Sequence, residues 1–422
     1  MNAMFRHTGY NAMTELDLGD NFDTSNVTLM GSMFGETGYK AMKTLNLGRY
    51  FNSAKVTDMS WMFANTGYDA MTKLDLGSNF DTSNVGSMYA MFNGTGSTAM
   101  TSLNLGNKFN TAKVTNMEYM FAFCGNQAMT SLDLGSKFNT SNVTKMNAMF
   151  LCTGFESMTN LNLGTHFDTG KVTGMAEMFN TCGFKKMTTL DLGDKFSTQN
   201  VTIMKMMFKT LGVTSLDLGE LFDTSNVTNM DAMFEGCDKL VTLNLGDKFD
   251  TSNVTTMIHM FKYTGSAAMK SLSLGDKFYT KNVTDMYEMF AFCGENSMTT
   301  LDLGPAFNYI QSVKQSSYDN AHYSGETIPK HNTYDGMFDY TGKSGSVVIY
   351  APESIYQDKN NFKLNTSSGT KINYTRGTIN ARYRTEWIKE SVTVDETNKK
   401  VMITLRGRTN TCLLYTSPSP RD

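Results

Sequence analysis

A Leu-x-Leu-Gly tetrapeptide recurs along most of this chain at intervals of about 29 residues, and this period restricts the possible folds more than any other feature. Such a period predicts a solenoid, because one unit cannot bury its own apolar side chains and must stack on its neighbours. We predict a repeat solenoid, leucine-rich-repeat-like or a β-solenoid, with about eleven coils, short strands and one helical turn per coil. The first leucines of the tetrapeptides are Leu16, Leu45, Leu74, Leu103, Leu132, Leu161, Leu190, Leu216, Leu243, Leu272 and Leu301.

The order of residue types within one unit predicts the course of one coil. Leu16 and Leu18 are separated by a single polar residue, as in a short strand with both leucines facing inward. Residues 23–26 are Asp, Thr, Ser and Asn, which favour a turn because their side chains bond to nearby backbone. Met30 and Met33 are three apart, a spacing that suits a tight helical or 3₁₀ turn in the core.

A two-unit period is superimposed on the single unit. The residue inside Leu-x-Leu alternates between Asp and Asn. The position of Asn26 alternates between Asn and Lys, which is Lys55 in the second unit. Interleaved asparagines double the distance between aspartates that would otherwise repel each other. A regular polar strip of this kind is a candidate partner-binding surface, although any solvated sheet face has the same composition. Its members are Asp17, Asn46, Asp75, Asn104, Asp133, Asn162, Asp191, Asp217 and Asn244.

Longer motifs resemble a known family. The strings FDTSNVTNM at residues 222–230 and FDTSNVTTM at 249–257, with the LDLG and MF motifs, resemble the BspA-like leucine-rich repeat surface proteins. The resemblance covers about residues 1–345 and implies a solenoid displayed outside the cell, with adhesion to host proteins or other microbes in some members. A TGYxAM-type segment, as at residues 37–42, departs from the family's commonest unit, so no binding surface is carried over from other members.

Charge and cysteine usage argue against several functional classes. The formal net charge of −3 gives no basic excess of the kind that attracts nucleic acid. No apolar run approaches the ~20 residues that span a bilayer. Cys124, Cys182, Cys237 and Cys293 stand where other units have threonine, which indicates a small, half-buried side chain and not a metal ligand.

The histidines do not form a recognisable catalytic set. His7, His166 and His259 occupy unrelated positions, and His322 and His331 share an irregular loop. A metal site in that loop, or an enzyme site in the insertion at residues 305–335, is the weaker alternative. We therefore predict no enzyme activity, no cofactor and no metal.

The repeat pattern also divides the chain. Residues 1–304 are predicted to be the solenoid, which begins in the middle of a repeat. Residues 305–375 are predicted to be an irregular last coil and C-terminal cap, and 376–411 the start of a truncated β domain. Residues 412–422 resemble the translation of a sequencing adapter.

These observations favour a non-enzymatic binding or adhesion protein that uses its regular face to hold a macromolecule. The expected partner is a protein or glycan on a host or microbial surface, and the resemblance implies a cell-surface or secreted location. The alternative is a structural spacer or stalk that displays another domain.

Overall fold

The computed structural model describes residues 1–308, 337–342 and 346–352, together with several later strands. In this part the chain is a β-solenoid of about 10 turns, so the predicted fold class is confirmed. The three-residue strands are β1 (Glu15–Asp17), β2 (Thr44–Asn46), β3 (Lys73–Asp75), β4 (Ser102–Asn104), β5 (Ser131–Asp133), β6 (Asn160–Asn162), β7 (Ser215–Asp217), β8 (Thr242–Asn244), β9 (Ser271–Ser273) and β10 (Thr300–Asp302). The later strands are β11 (His322–Tyr323), β12 (Glu326–Thr327), β13 (Ser346–Ala351), β14 (Lys371–Arg376), β15 (Ile388–Asp395), β16 (Lys400–Arg406) and β17 (Thr411–Leu414). We number the coils from coil 1 at Leu16 to coil 11 at Leu301.

The Leu-x-Leu strands pair in parallel, but mostly two by two and not as one continuous sheet. β1 pairs with β2, β3 with β4, β5 with β6 and β7 with β8. Equivalent leucines lie opposite each other in each pair, as Leu16 lies opposite Leu45. The amide of Leu18 donates to the carbonyl oxygen of Asn46 at 3.0 Å, and the same bond recurs in the other pairs. The two-unit period of the sequence is therefore also a two-coil period of the backbone.

A second position in each coil supplies the continuous ladder. Single parallel bridges connect this position from coil 1 to coil 10 without a break. The bridging residues are Leu29, Asp58, Ser87, Asn116, Lys145, Gly174, Ile203, Asn229, Thr256 and Asp285. These bridges join coils whose Leu-x-Leu strands are unpaired, and so make the array one structure.

The predicted helical turn is replaced by a run of turns at residues 30–37 and their equivalents, and the described residues contain no helix. The amide of Met33 donates to the carbonyl oxygen of Met30, three residues earlier. The amide of Phe34 instead donates to the carbonyl oxygen of Met62 in the next coil, at 2.8 Å. Successive backbone amides of the segment therefore donate in turn to their own coil and to the next coil. Ser32 and Glu36 have φ of 53° and 59°, so left-handed residues interrupt the helical path.

The core consists of columns of identical side chains. Phe34 stacks on Phe63 with ring centroids 5.4 Å apart, and this column continues along the array to Phe338. A second column contains Phe51 and Phe80, whose centroids are 6.0 Å apart. Methionines fill the space between the rings and are fully buried. Each coil covers the rings of the one before it, which explains why the units must stack to fold.

Buried hydroxyl and thiol groups satisfy carbonyl oxygens inside this core. The Thr66 hydroxyl donates to the carbonyl oxygen of Phe34 at 2.7 Å. Cys237 occupies the equivalent position, and its Sγ donates to the Phe208 carbonyl oxygen at 2.9 Å. Cys237 therefore replaces threonine as a donor to a buried carbonyl. The Sγ atoms of Cys124, Cys182 and Cys293 make no hydrogen bond within the described residues, so these cysteines share only the small size of the side chain. The four cysteines of this column are fully buried, which is deeper than the half-buried position that the sequence predicts.

The repeat continues through coil 11, and one further strand, β13, pairs with the strand of that coil. Phe290 donates its amide to the carbonyl oxygen of Met337, and Thr341 donates its hydroxyl to that of Phe290. β13 pairs with β10 on one side and β14 on the other, in parallel. β15, β16 and β17 form a separate three-stranded antiparallel sheet. Among the described residues, no helix is long and apolar enough to cross a membrane.

Candidate binding faces

The strip predicted as a binding surface lies on the outside of the Leu-x-Leu strands, where its side chains also have a structural task. Oδ1 of Asp17 accepts a hydrogen bond from the amide of Gly19 at 2.7 Å. The other eight strip residues accept the same bond from the glycine two positions on. Each side chain thus fixes the turn that follows its strand, so Asp or Asn has a structural role there with or without a ligand.

Contacts between strip residues explain the alternation of Asp with Asn. Nδ2 of Asn162 donates to Oδ1 of Asp133 at 3.1 Å, and Nδ2 of Asn244 donates to Oδ1 of Asp217 at 3.0 Å. In each case the two residues belong to the two strands of one pair. A second carboxylate in place of the asparagine would face the first at hydrogen-bond distance and repel it.

The alternation of Asn with Lys has a related cause. Nζ of Lys171 donates to Oδ1 of Asn142 at 2.7 Å, and Nδ2 of Asn142 donates to the carbonyl oxygen of Ala112 at 2.8 Å. Lys113 makes the same bond to Asn84. Each asparagine therefore links three coils, and lysines that would repel each other are kept two coils apart.

A different face, which the sequence prediction missed, varies from coil to coil. It consists of the four positions that flank the second core methionine and its phenylalanine, and we call it the variable face. In coil 1 these positions hold Gly31, Ser32, Gly35 and Glu36, and in coil 2 they hold Ser60, Trp61, Ala64 and Asn65. The signal was present in the repeat pattern as positions at which no residue type is preferred.

The backbone of the variable face is rigid and unusual. Trp61, Tyr119 and Phe123 have φ of 61°, 57° and 57°, in the left-handed region. A left-handed conformation costs a bulky residue roughly 1–2 kcal/mol, which a glycine would avoid. Gly94 and Gly236 show that glycine fits the fourth of the four positions, which Phe123 occupies in coil 4. Large side chains are nevertheless present in the strained positions of several coils.

Aromatic side chains form two clusters on the variable face. In the N-terminal aromatic cluster, the rings of Trp61 and Tyr89 are 5.3 Å apart and those of Tyr89 and Tyr119 are 5.9 Å apart. Phe123 occupies the fourth position of the variable face in coil 4, the coil of Tyr119, and 39% of its surface is exposed. Trp61 is 40% exposed, so the cluster offers apolar surface to a partner.

The C-terminal aromatic cluster comprises Tyr263, Phe292 and Tyr340. Its successive ring centroids are 4.5 Å and 4.7 Å apart, and the rings are stacked. Tyr263 and Tyr340 expose 39% and 45% of their surface. The two clusters lie at different heights of the same face and are separated by coils 5 to 8, which have no aromatic side chain at these positions.

Ion pairs occupy the part of the variable face near the C-terminal aromatic cluster. Nζ of Lys209 lies 2.8 Å from Oε2 of Glu235, and Nζ of Lys262 lies 2.7 Å from Oε2 of Glu288. Burial would raise the pKa of Glu288, but hydrogen bonds and charge from His259 and Lys262 outweigh it and lower the pKa to about 2. These charges are held in fixed positions by their neighbours.

Other groups that could form a site are structural or lie outside the described residues. Tyr10, Tyr39 and Tyr68 stack on one another with centroids 4.8 Å and 4.7 Å apart, so they pack between coils. Among the described side chains, no group of three or more His, Cys, Asp or Glu is placed to hold a metal. The side chains of the loop with His322 and His331 lie outside the described residues, and that alternative stays a prediction.

Comparison with known proteins identifies the repeat. Overlapping matches to residues 1–129, 68–189, 96–217 and 183–301 relate the chain to a family model described as Mycoplasma protein of unknown function, DUF285. No curated protein and no solved structure matches the chain. The matched residues span the solenoid from its first coil to coil 11, which is more than half of the sequence. The chain therefore belongs to the DUF285 family of repeat proteins.

Proposed function

We propose that this chain is a non-enzymatic binding protein, displayed on a cell surface or secreted, which holds a host or microbial macromolecule on its variable face. One observation carries this proposal: the variable face exposes clusters of aromatic side chains at positions that small or polar residues fill in other coils. Ser32, Glu36 and Thr181 adopt the same left-handed φ, so the fold does not need aromatic side chains at these positions, and a partner is the simplest explanation for them. The resemblance to BspA-like surface proteins supports the proposed location and the adhesive role.

The construction of the variable face suits a protein partner. Its backbone is hydrogen-bonded to both neighbouring coils, for example from Trp61 to Tyr89 at 2.8 Å, so little ordering is needed on binding. Trp and Tyr are the side chains that most often anchor protein interfaces. The strand strip is the weaker candidate, because each of its side chains already accepts a bond from a glycine amide.

The proposal is tested by binding of the full chain to a panel of immobilised host matrix proteins and mucins. We expect at least one member to bind, and expect the double variant Trp61→Ser/Phe123→Ser to weaken binding about 100-fold, as loss of two interface anchors would. Tyr50→Ser is the matched control, because Tyr50 is 54% exposed but lies outside the variable face. Equal effects of the two variants would contradict the proposal.

The continuous backbone ladder favours a spacer as the second candidate. Bridges from Leu29 to Asp285 make the array a rigid rod, and a rod can separate other domains without binding anything. This function predicts that no member of the panel binds, or that binding is weak and unaffected by variants on any face.

A further inference from the structure

A groove separate from the variable face crosses coils 3 to 6. It has a volume of about 410 Å³ and lies beside the Asp-Thr-Ser-Asn turns. Lys108, Lys137 and His166 line it from equivalent positions in three successive coils, and all three are exposed. We call it the cationic groove.

Amide groups in the cationic groove are held so that they can donate to a ligand. Oδ1 of Asn110 accepts the amide of Ala112 at 2.9 Å, and Oδ1 of Asn139 accepts the amide of Ser141 at 2.9 Å. Because the oxygen of each side chain is fixed by its turn, the nitrogen has a fixed direction. Nδ2 of these two asparagines makes no hydrogen bond within the described part of the chain. The groove thus combines lysine ammonium groups with positioned neutral donors.

Negative charge is scarce in the cationic groove. Asp81 is the one carboxylate among the described residues that line it, and its Oδ1 already accepts the amide of Ser83 at 2.9 Å. Within the described residues no ion pair involves Lys108 or Lys137.

Coils 4 to 6 differ in this respect from later coils. The residues that precede Lys108, Lys137 and His166 are Asn107, Ser136 and Thr165 in coils 4 to 6. In coils 7, 9 and 10 the equivalent lysines follow Asp194, Asp247 and Asp276. The positive charge of the same column is therefore accompanied by a carboxylate everywhere except along the groove.

We propose that the cationic groove binds an anionic polysaccharide that runs along the axis of the solenoid. Sulfate and carboxylate groups that recur along such a chain match the ammonium groups of Lys108 and Lys137 in successive coils, and the fixed amide donors and the ring of His166 match its oxygen acceptors. Among the described residues that line the groove there is no Phe, Tyr or Trp on which a nucleic-acid base would stack. This site is independent of the variable face, and no residue is common to both.

Heparin is the probe. We expect the full chain to bind immobilised heparin, and Lys108→Ser/Lys137→Ser to weaken binding about ten-fold and reduce the salt dependence by about two charges. Lys248→Ser/Lys277→Ser removes the same charge from lysines that follow aspartates, and should change affinity less than about two-fold. No heparin binding by the parent chain, or equal loss in both double variants, overturns the proposal. Thermal unfolding shows that each variant is folded.

Three further experiments distinguish a polysaccharide from other anionic ligands and test whether the groove and the variable face are independent. Asp81→Asn removes the groove's carboxylate and keeps an Asn that serves the same turn in other coils, so we expect tighter heparin binding. An oligothymidylate at equal charge should fail to displace heparin, and efficient displacement overturns the assignment to a polysaccharide. Trp61→Ser/Phe123→Ser should leave heparin binding unchanged, and loss there would overturn the independence of the groove.

Discussion

The carbonyl oxygen of Gly77 lies so close to Gly106 of the next coil that a Cβ atom on Gly106 would be 2.4 Å from it. Gly135, one coil further, has nearly the same φ, +77° against +79°, but nothing lies within 4 Å of a Cβ there. The left-handed strain is therefore equal at the two glycines, and only the distance to the preceding coil differs. This contrast follows from the pairing of coils two by two.

Alanine at these two glycines should have unequal costs. Gly135→Ala should lower the free energy of unfolding by about 1–2 kcal/mol through backbone strain alone. Gly106→Ala should cost about 1–3 kcal/mol more, because its methyl group clashes with backbone that cannot move aside. Urea unfolding of the two variants measures the difference. Equal costs would show that the coils are evenly spaced and that the two-coil period is absent.

Replacement of an interleaved asparagine should expose the repulsion that it prevents. Asn142→Lys removes the acceptor of Lys171 and places three lysines in successive coils, with Lys113 on the other side. We expect a loss of about 1 kcal/mol that shrinks as salt is added. Asn253→Lys is the matched control, because its neighbours Asn226 and Asn282 are neutral. A similar, salt-independent loss in both variants would contradict this explanation.

The thiols should differ in reactivity. Burial raises the pKa of Cys182, Cys237 and Cys293 to about 12, and Cys124 is also fully buried with a raised pKa. Cys152 is half-buried, so it alone among the described cysteines is open to a reagent. In a Cys412→Ser background, a disulfide reagent at pH 8 should modify one thiol quickly and the others only on unfolding. Rapid modification of several thiols in the folded chain would refute the described burial.

Much of the fold could be predicted because every unit repeats the same constraints. The inward leucines and the polar residue between them are visible in any one coil. The prediction of a helical turn was wrong because Ser32 and Glu36 have a left-handed backbone conformation, although neither is glycine. Hydrogen bonds to the next coil impose this conformation. Local propensity carries no signal for such residues.

The candidate surfaces were harder to predict than the fold. The strand strip is regular and therefore conspicuous, but its regularity serves the turn glycines. The variable face consists of the positions that a repeat pattern leaves undefined, so it is lost when units are averaged. The cationic groove depends on which residue precedes Lys108 and Lys137 and on the direction of fixed amides, which only the assembled coils define.

The buried ion pair of Glu288 should make part of the stability depend on pH. Its pKa is about 2 in the folded chain, below the ordinary value of 4.5, so its contribution is present above about pH 4.5 and is lost as pH falls towards 2. Glu288→Gln should therefore lower the free energy of unfolding by about 1–2 kcal/mol at pH 7. The difference from the parent chain should disappear in acid.

The parent chain alone does not reveal this effect, because burial raises the pKa of Asp231 and gives that group the opposite pH dependence. The quantity to measure is the difference between Glu288→Gln and the parent in urea unfolding at pH 7, 4.5 and 3. Glu36→Gln is the control, because its partners Arg6 and His7, at 3.4 Å and 3.2 Å, are about half exposed and should contribute little. A difference for Glu288→Gln that stays constant or grows in acid would show that the ion pair does not stabilise this part of the variable face.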